Sequence, residues 1–121
     1  MFDNTNKPRG LSRIYLASLN SLRAFSWLIN HEAAFRQELL LLIIATPVTF
    51  LLDITVKEQI ILIVALLFII FTEIINTAIE AIVDKVGLEI HPLSGLAKDL
   101  GSAAVLLSVV IAVLVWIAVI F

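Results

Sequence analysis

Glu73-Ile-Ile-Asn-Thr-Ala-Ile-Glu-Ala-Ile-Val-Asp84 follows the apolar run from Ile60 to Thr72 with no glycine or proline between them. At about 100° per residue, Glu73, Asn76, Glu80 and Asp84 fall within about 80° of arc on one helical face. Ile74, Ile75, Ile79, Ile82 and Val83 cover most of the remaining circumference. A helix that is apolar almost all round belongs in a core or a membrane. A stripe of carboxylates along such a helix requires something for it to hold.

Composition decides between core and membrane. The chain has 121 residues and is 61% hydrophobic, with a mean hydropathy of +1.10. Soluble domains are about 45–50% apolar, so the excess must face lipid. The fold expected is all-α and integral to the membrane, and the length allows one domain at most. With no cysteine, disulfides and thiolate metal sites are excluded. A net charge of −2 offers no basic surface for nucleic acid. Residues 1–10 are polar, with Pro8 and Gly10. They read as a flexible tail without the apolar segment of a signal peptide.

Outward from the central stretch, the chain resolves into a surface helix and three spans. Residues 11–29 are amphipathic, with Leu11, Ile14, Tyr15, Leu22, Phe25 and Ile29 on one face and Arg13, Asn20 and Arg23 opposite. Such a helix can lie on an anionic leaflet or pack on the protein's own spans. Asn30 offers a cap for a following helix. A first span is expected over 33–52, with Arg36 snorkelling and Pro47 a potential kink. Thr55 and Glu58 form a capping box that starts the central helix near Val56. That helix can run to Val86 before Gly87 stops it, a length of roughly 46 Å. This exceeds the ~30 Å hydrocarbon core, so one end emerges into water. Ser94 is the expected cap of a last span over 96–121, whose residues from Leu100 onward carry no charge. Gly101, Ser102, Ala103, Ala104 and Ser108 offer it close packing, and Trp116 is placed as an interfacial aromatic.

Lysine and arginine set the orientation. Lys7, Arg9, Arg13, Arg23 and Arg36 precede the first span, Lys57 alone lies between the first two, and Lys85 and Lys98 flank the second connection. The positive-inside rule places the N-terminus and the second connection in the cytoplasm, with Phe121 on the far side. The central helix then descends toward the cytoplasm. Glu73 lies at the edge of the hydrocarbon, with Glu80 about 10 Å further out and Asp84 one turn beyond. Ionisable groups at that depth are costly and mark function. Carboxylates with an amide are hard oxygen ligands of the kind Mg²⁺ takes, with substrate phosphates completing its shell. Glu73 fits a general base, and Lys98 a phosphate counter-charge.

Blander readings stand beside these. Glu80 and Asp84 alone fit a solvated helix end. Glu32 and Arg36, four apart, fit a surface ion pair. Asn76 fits an interhelical hydrogen bond, and His91 beside Pro92 fits a loop. Standard nucleotide-loop, zinc-protease and protein-kinase signatures are lacking. As a different class, a small cation-coupled carrier would use Glu73 as its cation site. It leaves the continuation of the stripe to Asp84, and Lys98-Asp99 opposite it, unexplained.

Three blocks, in order and spacing, resemble the prokaryotic diacylglycerol kinase family: Glu32-Ala-Ala-Phe-Arg-Gln-Glu38, Glu73 through Gly87, and Ala97-Lys-Asp-Leu-Gly-Ser-Ala-Ala-Val105. The resemblance implies a homotrimeric inner-membrane enzyme with active sites shared between subunits. It would move the γ-phosphoryl of MgATP onto diacylglycerol, or onto undecaprenol as some relatives do. The overall pattern looks closer to the Gram-negative diacylglycerol enzymes. Carried over by motif, Glu73 is the general base and also touches the acceptor, and Glu32 and Glu80 hold Mg²⁺. Asn76, Lys98, Asp99 and the Glu89-Ile90-His91 turn join them at the nucleotide. Ala34, Phe35, Arg36, Gln37, Glu38 and Ser102 line the lipid site, with Trp116 a weaker match. Arg13 serves near both substrates. Leu16 and Asn20 depart from the family pattern, where Lys and Tyr can face the nucleotide.

Overall fold

A computed structural model describes residues 9–86 and 91–121. The described residues are helical, with no strand among them: α1 (Leu11–His31), α2 (Ala33–Leu51), α3 (Val56–Val86) and α4 (Pro92–Ile120). The last three are each long and apolar enough to cross a membrane. The expected all-α architecture, three spans preceded by an N-terminal helix, is the one observed. The expected stop at Gly87 and most of the N-terminal tail lie outside the described residues.

The chain divides into two compact units, one ending at Arg36 and the other running Gln37–Phe121. In the first, α1 extends through Asn30, whose side chain donates to the carbonyl of Ser26 at 2.8 Å instead of capping a new helix. Glu32 breaks the helix with extended backbone. Its N–H still bonds Leu28 at 2.9 Å, and its own carbonyl accepts the N–H of Arg36 at 3.2 Å. One residue therefore closes α1 and opens α2. Arg36 donates to the carbonyl of Ile29 at 2.8 Å. Among the described residues it makes no ion pair with Glu32, so the blander i,i+4 reading is not what forms.

In the second unit, α3 is central. Half of its most apolar window is buried (50%), against 11% for α2 and for α4. Both strands of the expected capping box are made at its start, with Thr55 N–H to Glu58 Oε1 and Glu58 N–H to Thr55 Oγ1, each 3.1 Å. The backbones of α3 and α4 approach closely. α2 reaches them through side chains, Ala45 joining Ala65, Leu66, Ile69 and Ala112 in one apolar cluster. Helix α2 continues through Pro47.

α4 starts earlier than expected. Pro92 is its first residue and His91 its cap, the imidazole Nδ1 accepting the N–H of Leu93 at 3.0 Å. Proline at the first helical position loses no hydrogen bond and is already bent to helical φ. A histidine nitrogen thus takes the role expected of Ser94. Trp116 also packs inward. It is half-buried against the cluster, and its indole N–H donates to the carbonyl of Leu62 at 3.2 Å.

Candidate active site

The stripe on α3 runs from buried to exposed. Glu73 and Asn76 are 6% and 8% exposed, Glu80 is half-buried and Asp84 is open to solvent. Beside Asn76, α4 packs close, and it can do so because residue 101 is glycine. A β-carbon at Gly101 would collide with the amide oxygen of Asn76. Close approach lets the amide lie flat against the α4 backbone and reach along its own helix, Nδ2 to Glu80 Oε1 at 3.4 Å. That is long for a hydrogen bond and correspondingly weak. Asn76 Oδ1 is buried with no hydrogen-bond partner among the described residues.

One turn deeper, the Thr72 and Ser108 hydroxyls meet across α3 and α4 at 2.9 Å. Each is also within reach of a carbonyl of its own helix, Ile69 at 2.8 Å and Val105 at 2.6 Å, and the two protons make two of these three hydrogen bonds at a time. This buried pair ties α3 to α4 beside Glu73.

At the outer end, Lys98 Nζ lies 2.7 Å from Asp84 Oδ1. The lysine thus faces the stripe, at its last member. Both groups are well exposed, so the attachment is easily exchanged. Asp99 is exposed on the same first turns of α4, as is Ser102 one turn further on.

From α2, Glu38 comes within electrostatic reach of Glu73. Its Oε2 is buried and has no partner among the described residues, while Gln37 beside it is exposed. Trp116 stands toward the other end of α3, lining an apolar groove of about 300 Å³ with Leu41, Leu66 and Ala112. In the N-terminal unit, Arg13 is exposed, and Glu32 and Ala34 are half-buried. Phe35 is 2% exposed, its ring 6.3 Å from that of Phe25. Glu89 and Ile90 lie outside the described residues.

Two features escaped the sequence. The hydroxyl pair at Thr72 and Ser108 has no local signature, because the partners are distant in the chain. Thr77 is 8% exposed, its Oγ1 buried without a partner among the described residues. It sits one turn after Glu73, a position its spacing shows, but spacing does not show whether its hydroxyl is satisfied.

Among the described residues, no group of three or more acidic, histidine or cysteine side chains could hold a metal ion. What α3 offers is a half-buried carboxylate at Glu80, steered by an amide. An incomplete hard-oxygen donor set suits Mg²⁺ that arrives with a nucleotide, since such ions draw only one or two carboxylates from protein. The donor type is that of a site for a divalent cation whose shell a phosphate ligand completes.

Comparison with known proteins agrees with the geometry. Residues 19–120 match the family model described as prokaryotic diacylglycerol kinase. The chain is 43% identical to a diacylglycerol kinase of Escherichia coli strain K12 over 114 residues, which cover 92% of this chain and 91% of the relative. It is 45% identical to one from Pseudomonas aeruginosa over 107 residues, 88% and 87% of the two chains. With one from Haemophilus influenzae it shares 38% identity over 115 residues, 95% and 98% of the two. A match over nearly the whole length, to relatives of nearly the same length, leaves one assignment: the chain belongs to the prokaryotic diacylglycerol kinase family.

Proposed function

We propose that this protein is an ATP-dependent lipid kinase of the inner membrane that moves the γ-phosphoryl of MgATP to the free hydroxyl of 1,2-diacylglycerol. The observation that carries the reading is the buried-to-exposed ladder on α3. Glu73 is nearly sealed off, Glu80 is half-open and Asp84 is in water. Chemistry that joins a lipid alcohol to a water-soluble nucleotide needs a polar path through that boundary. Family membership and the names of the relatives support the same activity.

In this reading Glu73 takes the proton of the acceptor hydroxyl as the oxygen attacks the γ-phosphorus. Phosphoryl transfer needs little covalent help from the protein beyond position and charge neutralisation. Glu32 and Glu80 would hold Mg²⁺, which when bound with the nucleotide draws charge from its phosphates. Asn76 keeps the Glu80 carboxylate in orientation. Lys98 moves from Asp84 to a phosphate oxygen, and Asp99 with the Glu89-Ile90-His91 turn supports the nucleotide. Arg13 attends both substrates, while residues 34–38 and Ser102, with Trp116 more distantly, bound the lipid site. The exposed apolar faces of α2 and α4 are to be covered by lipid and by copies of the chain. The family resemblance adds that the assembly would be a homotrimer with shared sites, and the distribution of Lys and Arg that the N-terminus and site would be cytoplasmic and the C-terminus periplasmic.

The test is purified protein in lipid vesicles with MgATP, offered diacylglycerol and undecaprenol in separate reactions. Phosphatidic acid is the expected product. Phosphorylation of undecaprenol alone would move the chain to the other acceptor, and no ATP consumption with either lipid would sink the kinase reading in favour of a carrier.

A further inference from the structure

Around Glu73, the two sides of α3 are occupied differently. Asn76, about 60° to one side, faces Gly101 of α4. Thr77, about 40° to the other side and one turn along, turns away from that contact, yet it is just as deeply buried. Helical threonines commonly turn the hydroxyl onto a carbonyl three or four residues back. Thr46 and Thr72 do so here, at 2.7 and 2.8 Å. The Thr77 hydroxyl does not, and it has no partner among the described residues. Glu38 Oε2, from α2, is the other buried oxygen near Glu73 in the same condition. Of the two, Thr77 is on the same helix as Glu73, one turn along, and its hydroxyl can donate.

Side chains four apart on a helix stand about 5–6 Å from one another at Cβ. In a 1,2-diacylglycerol, the free hydroxyl and the nearest ester are on neighbouring glycerol carbons, a separation that this spacing can serve. An acceptor hydroxyl against Glu73 brings the ester carbonyl, a pure acceptor, to the donor one turn away. We propose that Thr77 is a specificity-determining residue of the acceptor site, donating a hydrogen bond to the ester carbonyl next to the reacting hydroxyl and so favouring glycerolipids over alcohols that lack an ester. This rests on the kinase reading above and deepens it. Left without that bond, the buried hydroxyl is an uncompensated cost, which a long-chain alcohol cannot relieve.

The experiment compares the full-length protein with Thr77→Val and Thr77→Ser in vesicles with MgATP. 1,2-Dioleoylglycerol and an ester-free polyprenol are assayed as acceptors in the same preparation. The readout is the ratio of the two kcat/KM values, which does not depend on how much of each variant is folded. Thr77→Val is expected to lower the ratio about tenfold, through dioleoylglycerol alone, and Thr77→Ser to restore it. Should Thr77→Val not fold, Thr77→Ala is read in its place with the same expectation. An unchanged ratio, or equal loss on both acceptors, overturns the proposal while the kinase reading stands. Wild-type protein that phosphorylates neither lipid overturns both.

Discussion

The two ends of α3 treat their polar groups in opposite ways. At the end where the helix begins, hydrogen-bonding partners are in place. Thr55 and Glu58 bond reciprocally. Gln59 donates to Thr49 at 3.0 Å, Thr49 to the carbonyl of Thr46 at 2.6 Å, and Trp116 to the carbonyl of Leu62. Around Glu73 the reverse holds, and all three buried side-chain oxygens without a partner among the described residues gather there: Glu38 Oε2, Asn76 Oδ1 and Thr77 Oγ1. An unsatisfied buried group costs about 1–3 kcal/mol, and native structures keep few. One end of the helix is built for stability. The other forgoes stability to keep polar atoms ready for ligands.

The largest effect should come from removing the base at the ligand-directed end. Glu73→Gln keeps the shape but cannot take a proton. Positioned bases contribute about 10²–10⁴-fold, so kcat should fall by at least that range while nucleotide binding is largely kept. Steady-state kinetics beside an equilibrium nucleotide-binding measurement checks this. Lost nucleotide affinity with chemistry intact at saturation would give Glu73 a different role.

Gly101→Ala comes next, because it strikes the contact that shapes the site. The new methyl has no room beside Asn76, and overpacking of this kind costs about 1–3 kcal/mol. Thermal unfolding in detergent should register the loss together with weaker MgATP use. Adding Asn76→Ala should restore stability without restoring activity. A Gly101→Ala protein as stable as the parent would mean that the two helices are not held at that distance.

Much of this comparison could be read from residues alone, and what could not has physical causes. The run from Val56 to Val86, its capping box and its carboxylate stripe depend on local spacing, which a sequence displays directly. The start of α4 was misplaced because serine is the usual cap. Here proline fixes the first turn, and the neighbouring histidine is left to satisfy it. Asp84 is the solvated helix end it resembles, and Lys98, already placed opposite the stripe, is its partner. The bond from Trp116 to the carbonyl of Leu62 could not be read either, because its partner is 54 positions away in the chain. The wheel identified Glu73 but passed over Thr77, since a threonine in an apolar helix gives no sign of whether its hydroxyl is satisfied.

A smaller effect is expected from Thr72 and Ser108, which belong energetically with the stable end despite adjoining Glu73. Interhelical hydrogen bonds in membranes are worth about 0.6 kcal/mol on average and at most about 1.7. A double-mutant cycle with Thr72→Val and Ser108→Ala should return a coupling of that size in unfolding, with kcat changed little. A coupling near zero accompanied by a large loss of kcat would reassign the pair from support to catalysis.

The smallest effect should be at the exposed end. The Asp84–Lys98 pair is open to water, so breaking it should leave stability unchanged. If Lys98 must leave Asp84 to meet a phosphate, Asp84→Asn removes a competitor for its ammonium. KM for MgATP should then fall a few-fold at low salt, and the gain should fade as ionic strength rises and screening shortens the reach of these charges. In a Lys98→Ala background the same substitution should gain less, because only the general loss of one negative charge remains. A rise in KM on Asp84→Asn would reverse the assignment: Asp84 would be holding Lys98 in its working position, and the ready-for-ligand region would extend to the last turn of α3.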